Sequence, residues 1–151
     1  MSKCDDLPFE TTLEVRDTCL CLHLQRAARA VARRFDAALR PLGLTSGQFS
    51  LLMSLNRPQP ASIGDVSALL AMDRTTMTAN LKPLERRGLV RVTADDADKR
   101  TRRLTLTPAG RALLGAAVPV WRRTHAEIAR LLTGSNPDRL RADLGAFLSP
   151  D

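Results

Sequence analysis

SIGDVSALLAMDRTTMTANLKPLERRGLVRVTADDADKRTRRLTLT, from Ser62 to Thr107, is the stretch from which the fold reads. Ser62 to Asp65 has the form of a capping box, and it opens a helix through Leu70 with Ile63, Val66, Leu69 and Leu70 inward. Asp73 is the N-cap of a second helix that runs to about Arg87 and stops at Gly88. Met77, Leu81 and Leu84 lie within about 60° of one another at 100° per residue, so they are its buried stripe. Thr75, Ala79, Lys82 and Arg86 fall opposite, with Thr78 beside them. Pro83 removes one backbone hydrogen bond from this helix without overriding its two well-marked ends. Leu89–Thr93 and Arg103–Thr107 alternate as paired strands, joined by a tip that is acidic first and basic later. The order is helix, turn, helix, hairpin.

Outward from this unit the pattern is helical. Residues 1–11 read as a loose arm, since Pro8 opposes regular structure. From about Thr12 to Leu42 an apolar face recurs at steps of three and four, through Leu20, Leu24, Val31, Phe35 and Leu39, until Pro41 and Gly43 end it. Thr45 to Gln48 is a further capping box, followed by a short buried helix with Phe49, Leu51, Leu52, Met53 and Leu55. Asn56 to Pro60 reads as a loop. After the hairpin, Thr107-Pro108 starts a long helix to about Leu132, with Leu114, Ala117, Trp121, Ile128 and Leu131 on its apolar side and a kink expected at Pro119. Gly134 to Pro137 breaks the chain, and Pro137 or Asp138 opens a last helix holding Leu140, Leu144, Phe147 and Leu148.

Composition narrows the function classes. The 151 residues suffice for one domain with a real core. With four Phe, one Trp and no Tyr, that core must be mostly Leu, Val and Ala. No apolar run approaches the roughly 18–20 residues that span a bilayer, and the N-terminus lacks a signal pattern, so no membrane partner and a cytoplasmic protein are expected. Cys4, Cys19 and Cys21 are an odd, clustered set, not a disulfide framework. The net charge is +7, and from Arg74 to Arg103 nine Lys/Arg face four Asp/Glu. The excess is therefore concentrated on the helix–turn–helix and hairpin, which favours a nucleic-acid partner over a merely solvated charged face. A small, capped, Thr-rich helix with a cationic outer face suits the major groove. Thr75, Thr76 and Thr78 offer hydroxyls and methyls to bases, while Arg74, Lys82 and Arg86 meet phosphates. An enzyme is not indicated: there is no nucleophile–base constellation, Gly-rich phosphate loop or ligand-spaced cluster, and no cofactor is implied.

The segments Met72 to Val90, Asp95 to Arg100 and Leu104 to Gly110 resemble the MarR family of winged-helix bacterial regulators. They do so through the T-x-x-L-x-x-L-E-x-x-G-L core, the D-x-R wing tip and the L-T-x-x-G strand-to-helix turn. The resemblance implies a mainly α fold with a small β-hairpin wing, one MarR-like domain over 1–151. Within it, 45–107 would be the winged helix-turn-helix and 12–42 and 108–148 the dimerisation helices. It also implies a homodimer on a pseudo-palindromic double-stranded operator, acting as a repressor. Arg100 would enter the minor groove, with Asp98 orienting it, and Lys99 and Arg102 beside them would complete the wing's contacts. Ala79 departs from the family, where many relatives carry a basic residue. A sequence-neutral DNA-binding protein is the competing reading, separable by its indifference to operator sequence.

The signal input is less explicit. Family members often bind a phenolic or aromatic carboxylate between the dimerisation helices and the winged lobe. By position, such a small-molecule effector would meet His23, Arg26, Phe49, Met53 and Trp121. Cys21, by its spacing to Gly43-Leu44-Thr45, matches the reactive cysteine of the family's organic-hydroperoxide sensors, which makes a thiol-based redox regulator the alternative. Those sensors support the thiolate with two tyrosines, and Phe35 and Ser46 stand at the matching positions. A metal site at Cys19, Cys21 and His23 is not expected, because on a helix Cys21 points away from the other two.

Overall fold

The computed structural model describes residues 7–149. Among these described residues, seven α-helices and a three-stranded sheet follow in the order α1 (Phe9–Thr18), α2 (Leu20–Leu39), α3 (Ser46–Ser54), β1 (Ala61–Ser62), α4 (Ile63–Leu70), α5 (Arg74–Arg86), β2 (Val90–Ala94), β3 (Arg102–Leu106), α6 (Pro108–Ala129) and α7 (Pro137–Ala146).

The expected caps are present. Thr45 and Gln48 form a reciprocal box, with Thr45 Oγ1 accepting the Gln48 N–H at 3.2 Å and Gln48 Oε1 the Thr45 N–H at 3.0 Å. Ser62 and Asp65 do the same at 3.0 and 3.1 Å. Asp73 Oδ1 accepts the Thr76 N–H at 2.8 Å. At the far end of α5, Gly88 adopts φ 71°. Its N–H reaches Glu85 O at 2.9 Å, and the Leu89 N–H reaches Leu84 O at 3.0 Å. This is a Schellman stop, and the positive φ is what requires glycine there. α5 continues through Pro83, and Met77, Leu81 and Leu84 are buried as the periodicity requires.

The core forms where α2, α3, α4, α5 and α6 meet the sheet, around Leu39, Leu52, Val66, Met77, Leu84, Leu104 and Leu114. Strand order is β1-β3-β2, antiparallel throughout, with Ala61 opposite Leu104 and Val92 opposite the same residue on the other side.

Several expectations are corrected. Among the described residues, regular structure starts at Phe9, because Pro8 serves as the N-cap of α1 and needs no N–H there; the first six residues of the expected arm lie outside the described residues. The expected single helix from Thr12 is interrupted at Cys19, whose extended backbone (ψ 110°) ends α1 and starts α2. The strands run one residue away from the expected bounds, and the hairpin gains a third strand, since Ala61 and Ser62 pair with β3. α6 ends at Ala129 rather than Leu132 and stays helical through Pro119. Leu131, expected on its apolar side, is exposed. Met53 and Leu69, expected to be buried, are 37% and 62% exposed. Leu69 lies about 110° around α4 from the line between Val66 and Ser67 that faces the core, and so opens on a cavity instead.

Candidate nucleic-acid interface

α5 is held at both ends and along its buried stripe, so its opposite face is fixed in space and open to solvent. Arg74, Thr75, Thr76, Thr78, Lys82 and Arg86 are all exposed. The three threonines differ in what their hydroxyls already do. Thr76 Oγ1 donates to Asp73 Oδ2 at 2.8 Å, and Thr78 Oγ1 donates to Arg74 O at 2.8 Å. Their oxygens can still accept and their methyls can still pack. Thr75 makes no side-chain hydrogen bond among the described residues, so it keeps both donor and acceptor for a partner.

The wing tip explains the acid-then-base order of its sequence. Asp95 Oδ1 accepts from Arg103 Nε at 3.0 Å and Asp95 Oδ2 from the Asp98 N–H at 3.0 Å. Asp98 in turn accepts the Arg100 N–H at 3.0 Å and the Thr101 hydroxyl at 3.2 Å. These two carboxylates are spent on building the turn, while Lys99, Arg100 and Arg102 stay exposed. Asp98 thus orients Arg100 through its backbone N–H; no ion pair joins the two side chains among the described residues. β1 ties the start of α4 to the wing root. A cleft of about 440 Å³ lies there, lined by Ser62, Gly64, Arg74, Thr78, Arg100 and Arg102. Three arginines, Arg74, Arg100 and Arg102, therefore line one cleft between the start of α5 and the wing. The pairing with β1 that closes this cleft carries no sequence signal, since a strand of two residues has no periodicity.

The carboxyls of Asp65, Asp73 and Asp95 lie below the ordinary aspartate value of 3.8. The Arg103 hydrogen bond lowers Asp95, the Thr76 N–H lowers Asp73, and the Ser62 N–H lowers Asp65. A carboxyl depressed by folding contributes stability above its unfolded pKa and loses it as pH falls through the folded one. The unfolding midpoint is therefore expected to be level from about pH 7 to 5 and to fall below about pH 4. Asp73→Asn should flatten part of that acid limb in a thermal melt series.

The residues expected to meet an effector fall in two places. Phe49, Met53 and Trp121 line one mostly apolar cavity of about 540 Å³ between α3, α4 and α6, together with Leu69, Leu70, Val118 and Arg122. Phe49 and Trp121 stack at 6.3 Å between ring centroids, and His125 stacks with the same indole at 5.0 Å. His23 and Arg26 lie in a separate cleft formed by α2 alone, with Arg29 and Arg33. Arg122, one residue after Trp121 on the rim of the apolar cavity, had no distinguishing sequence signal. Cys21 is exposed, with its thiol accepting from Gln25 Nε2 at 3.4 Å, whereas Cys19 Sγ accepts the Leu22 N–H at the start of α2. No cluster of metal-ligating side chains occurs among the described residues.

The sequence model of the MarR family matches residues 44–101, the segment that holds α3 to the wing tip. The transcriptional repressor NicR of Pseudomonas putida is 33% identical over 87% of this chain and 77% of its own length. The solved structure of M. tuberculosis MosR in complex with DNA is 39% identical, with a TM-score of 0.79 over 87% of this chain and 94% of that one. BpsR of Bordetella bronchiseptica, whose DNA binding is regulated by 6-hydroxynicotinic acid, is 30% identical, with a TM-score of 0.71 over 85% and 89%. The chain spans 54% and 51% of the length of two further curated transcriptional regulators that it matches. No described helix is long and apolar enough to cross a membrane. With a winged helix-turn-helix in place and relatives similar over most of their length, the chain belongs to the MarR family of DNA-binding transcriptional regulators.

Proposed function

We propose that this protein is a homodimeric repressor that reads a pseudo-palindromic duplex, with α5 in the major groove and Arg100 of the wing in the adjacent minor groove. The observation that carries this reading is the wing, where Asp95 and Asp98 are satisfied within the turn while Arg74, Arg100 and Arg102 line one cleft at its root. A phosphate backbone lying between the two grooves would meet those three guanidinium groups. Thr75 is the leading base reader, with Thr76 and Thr78 contributing methyl contacts and acceptors; Lys82, Arg86 and Lys99 meet phosphates. Likeness to MosR, solved on DNA, and to the repressor NicR supports the reading.

The dimer is supported by apolar surface at the ends of the chain: Phe9, Leu20, Phe147 and Leu148 are all more than half exposed. The segments 12–42 and 108–148 are accordingly the dimerisation helices around the 45–107 winged lobe. In the dimer the two α5 helices must sit about 34 Å apart to meet successive major grooves. A duplex enriched from a randomised library by the purified protein should be bound at least about 10³-fold more tightly than random DNA. Equal affinity for both would replace the reading with a sequence-neutral binder.

The effector is a small aromatic or phenolic acid in the cavity formed by Phe49, Met53 and Trp121, with its carboxylate at Arg122. The relative BpsR, regulated by a heteroaromatic acid, supports that ligand class. Binding there would wedge α3 and α4 against α6 and alter the spacing of the two α5 helices. His23 and Arg26 join this site only if the partner's approach brings α2 to it. In a gel shift, 6-hydroxynicotinic acid or benzoate should release the duplex, and Trp121→Ala should blunt that release by about tenfold in effector concentration. A panel of such acids without effect would reject the effector reading. The exposed Cys21 thiol keeps a redox-sensing reading open. In that case hydroperoxide would release DNA and Cys21→Ser would abolish the response.

A further inference from the structure

The stop of α5 is bonded to both places where the chain passes between the winged lobe and the flanking helices. On one side, Arg87 Nη1 donates to Gly43 O at 2.7 Å, across 44 residues of sequence. Gly43 closes the turn after α2 at φ 67°. On the other side, Thr107 Oγ1 donates to Gly88 O at 2.5 Å, and the Thr107 N–H reaches Leu89 O at 3.1 Å. Three consecutive residues, 87 to 89, therefore hold both crossings.

We propose that Arg87 is a positioning residue, one that sets the pitch of α5 relative to α2 instead of neutralising a DNA phosphate. The inference rests on the DNA-reading role proposed above. Arg87 and its neighbour Arg86 are alike in sequence and in exposure, yet only Arg87 has a partner among the described residues. Its guanidinium lies close against the Gly43 turn: a Cβ built there would stand 3.2 Å from Arg87 Nη2. The carbonyl it caps belongs to the turn that ends α2, where unpaired carbonyls favour a cation. A charge-assisted bond of this kind is directional, so it restrains angle as well as distance. The next residues reinforce the restraint, since the Ser46 N–H donates to Asp36 Oδ1 on α2 at 2.7 Å. The lobe is thereby tied to the end of α2 at the stop of α5 and at the start of α3. The consequence is a fixed pitch for each α5, and with it a strict preference for one half-site spacing.

The test uses the full chain, a duplex enriched by the wild type from a randomised library, and the same duplex with one base pair inserted between its half-sites. For Arg87→Ala, the ratio of affinities for the two duplexes should fall by about tenfold, the low end for one hydrogen bond to a charged group. Its slope of log K on log salt should equal that of the wild type. Arg87→Lys, which keeps an N–H for Gly43 O, should restore most of the ratio. Arg86→Ala should behave in the opposite way, keeping the ratio while its slope becomes shallower by about one. A shallower slope for Arg87→Ala, or an unchanged ratio, overturns the positioning role. Failure of the wild type to enrich any duplex is a different result, and overturns the DNA-reading role on which this one rests.

Discussion

Gly110→Ala is expected to destabilise the fold by about 3 kcal/mol or more, lowering the unfolding midpoint by roughly 10 °C. An alanine Cβ at this position would lie 2.0 Å from Leu89 O and 2.9 Å from Leu89 C. Both are backbone atoms, so no rotamer change relieves the overlap. The same carbonyl accepts the Thr107 N–H at 3.1 Å, and Thr107 Oγ1 also caps α6 through the Gly110 N–H at 3.0 Å. Relief would require α6 to move off the start of β2 and break these bonds together. Gly115, on the same helix, has nothing within 4 Å of its own built Cβ. Gly115→Ala should therefore stabilise by about 0.5–1 kcal/mol, the ordinary propensity gain in a helix interior. One chemical change at two positions five residues apart should thus have opposite signs. Urea denaturation of both variants decides the matter, and a cost below about 1 kcal/mol at Gly110 would reject the close approach.

Arg100→Ala is expected to weaken binding to the enriched duplex by about 10- to 100-fold, the range for losing one specific groove contact. The guanidinium has no protein partner among the described residues, and its backbone is held by Asp98 whatever side chain it carries. Stability should therefore stay within about 0.5 kcal/mol of the wild type, as for other surface substitutions. The contrast is Arg103, whose Nε is engaged by Asp95 at 3.0 Å and which is only partly exposed. Arg103→Ala removes that pairing and loosens the tip, so it should lower DNA affinity indirectly, through wing shape. Gel shifts at matched salt, alongside sedimentation to confirm an unchanged oligomeric state, separate the two. Unchanged affinity for Arg100→Ala would reject the minor-groove assignment.

These contrasts mark how far the sequence reaches. The caps at Thr45, Ser62, Asp73 and Thr107, the stop at Gly88 and the buried stripe of α5 were all legible, because each depends on residues within one or two turns. The L-T-x-x-G motif was legible as a resemblance, while its physical reason, Gly110 against Leu89 O, appeared only when α6 was laid on β2. The acid-then-base order of the wing was visible, but not that Asp95 and Asp98 would be used up inside the turn.

Periodicity alone identified the apolar faces of α2 and α4, and by itself it determined that this chain is a helical protein around a capped helix–turn–helix and hairpin. It did not determine what covers each face. Phe35 and Leu39 pack on the core at the lower end of α2, while Leu20 at its upper end does not; Leu69 opens on the cavity beside Trp121. An apolar side chain has the same sequence pattern whether it meets a core, a ligand space or a second chain. Only the tertiary structure decided the break at Cys19, the third strand at Ala61, the separation of His23 and Arg26 from the apolar cavity, and the bond from Arg87 to Gly43. Each joins groups distant in sequence or depends on a two-residue feature, and local propensity carries no information about either.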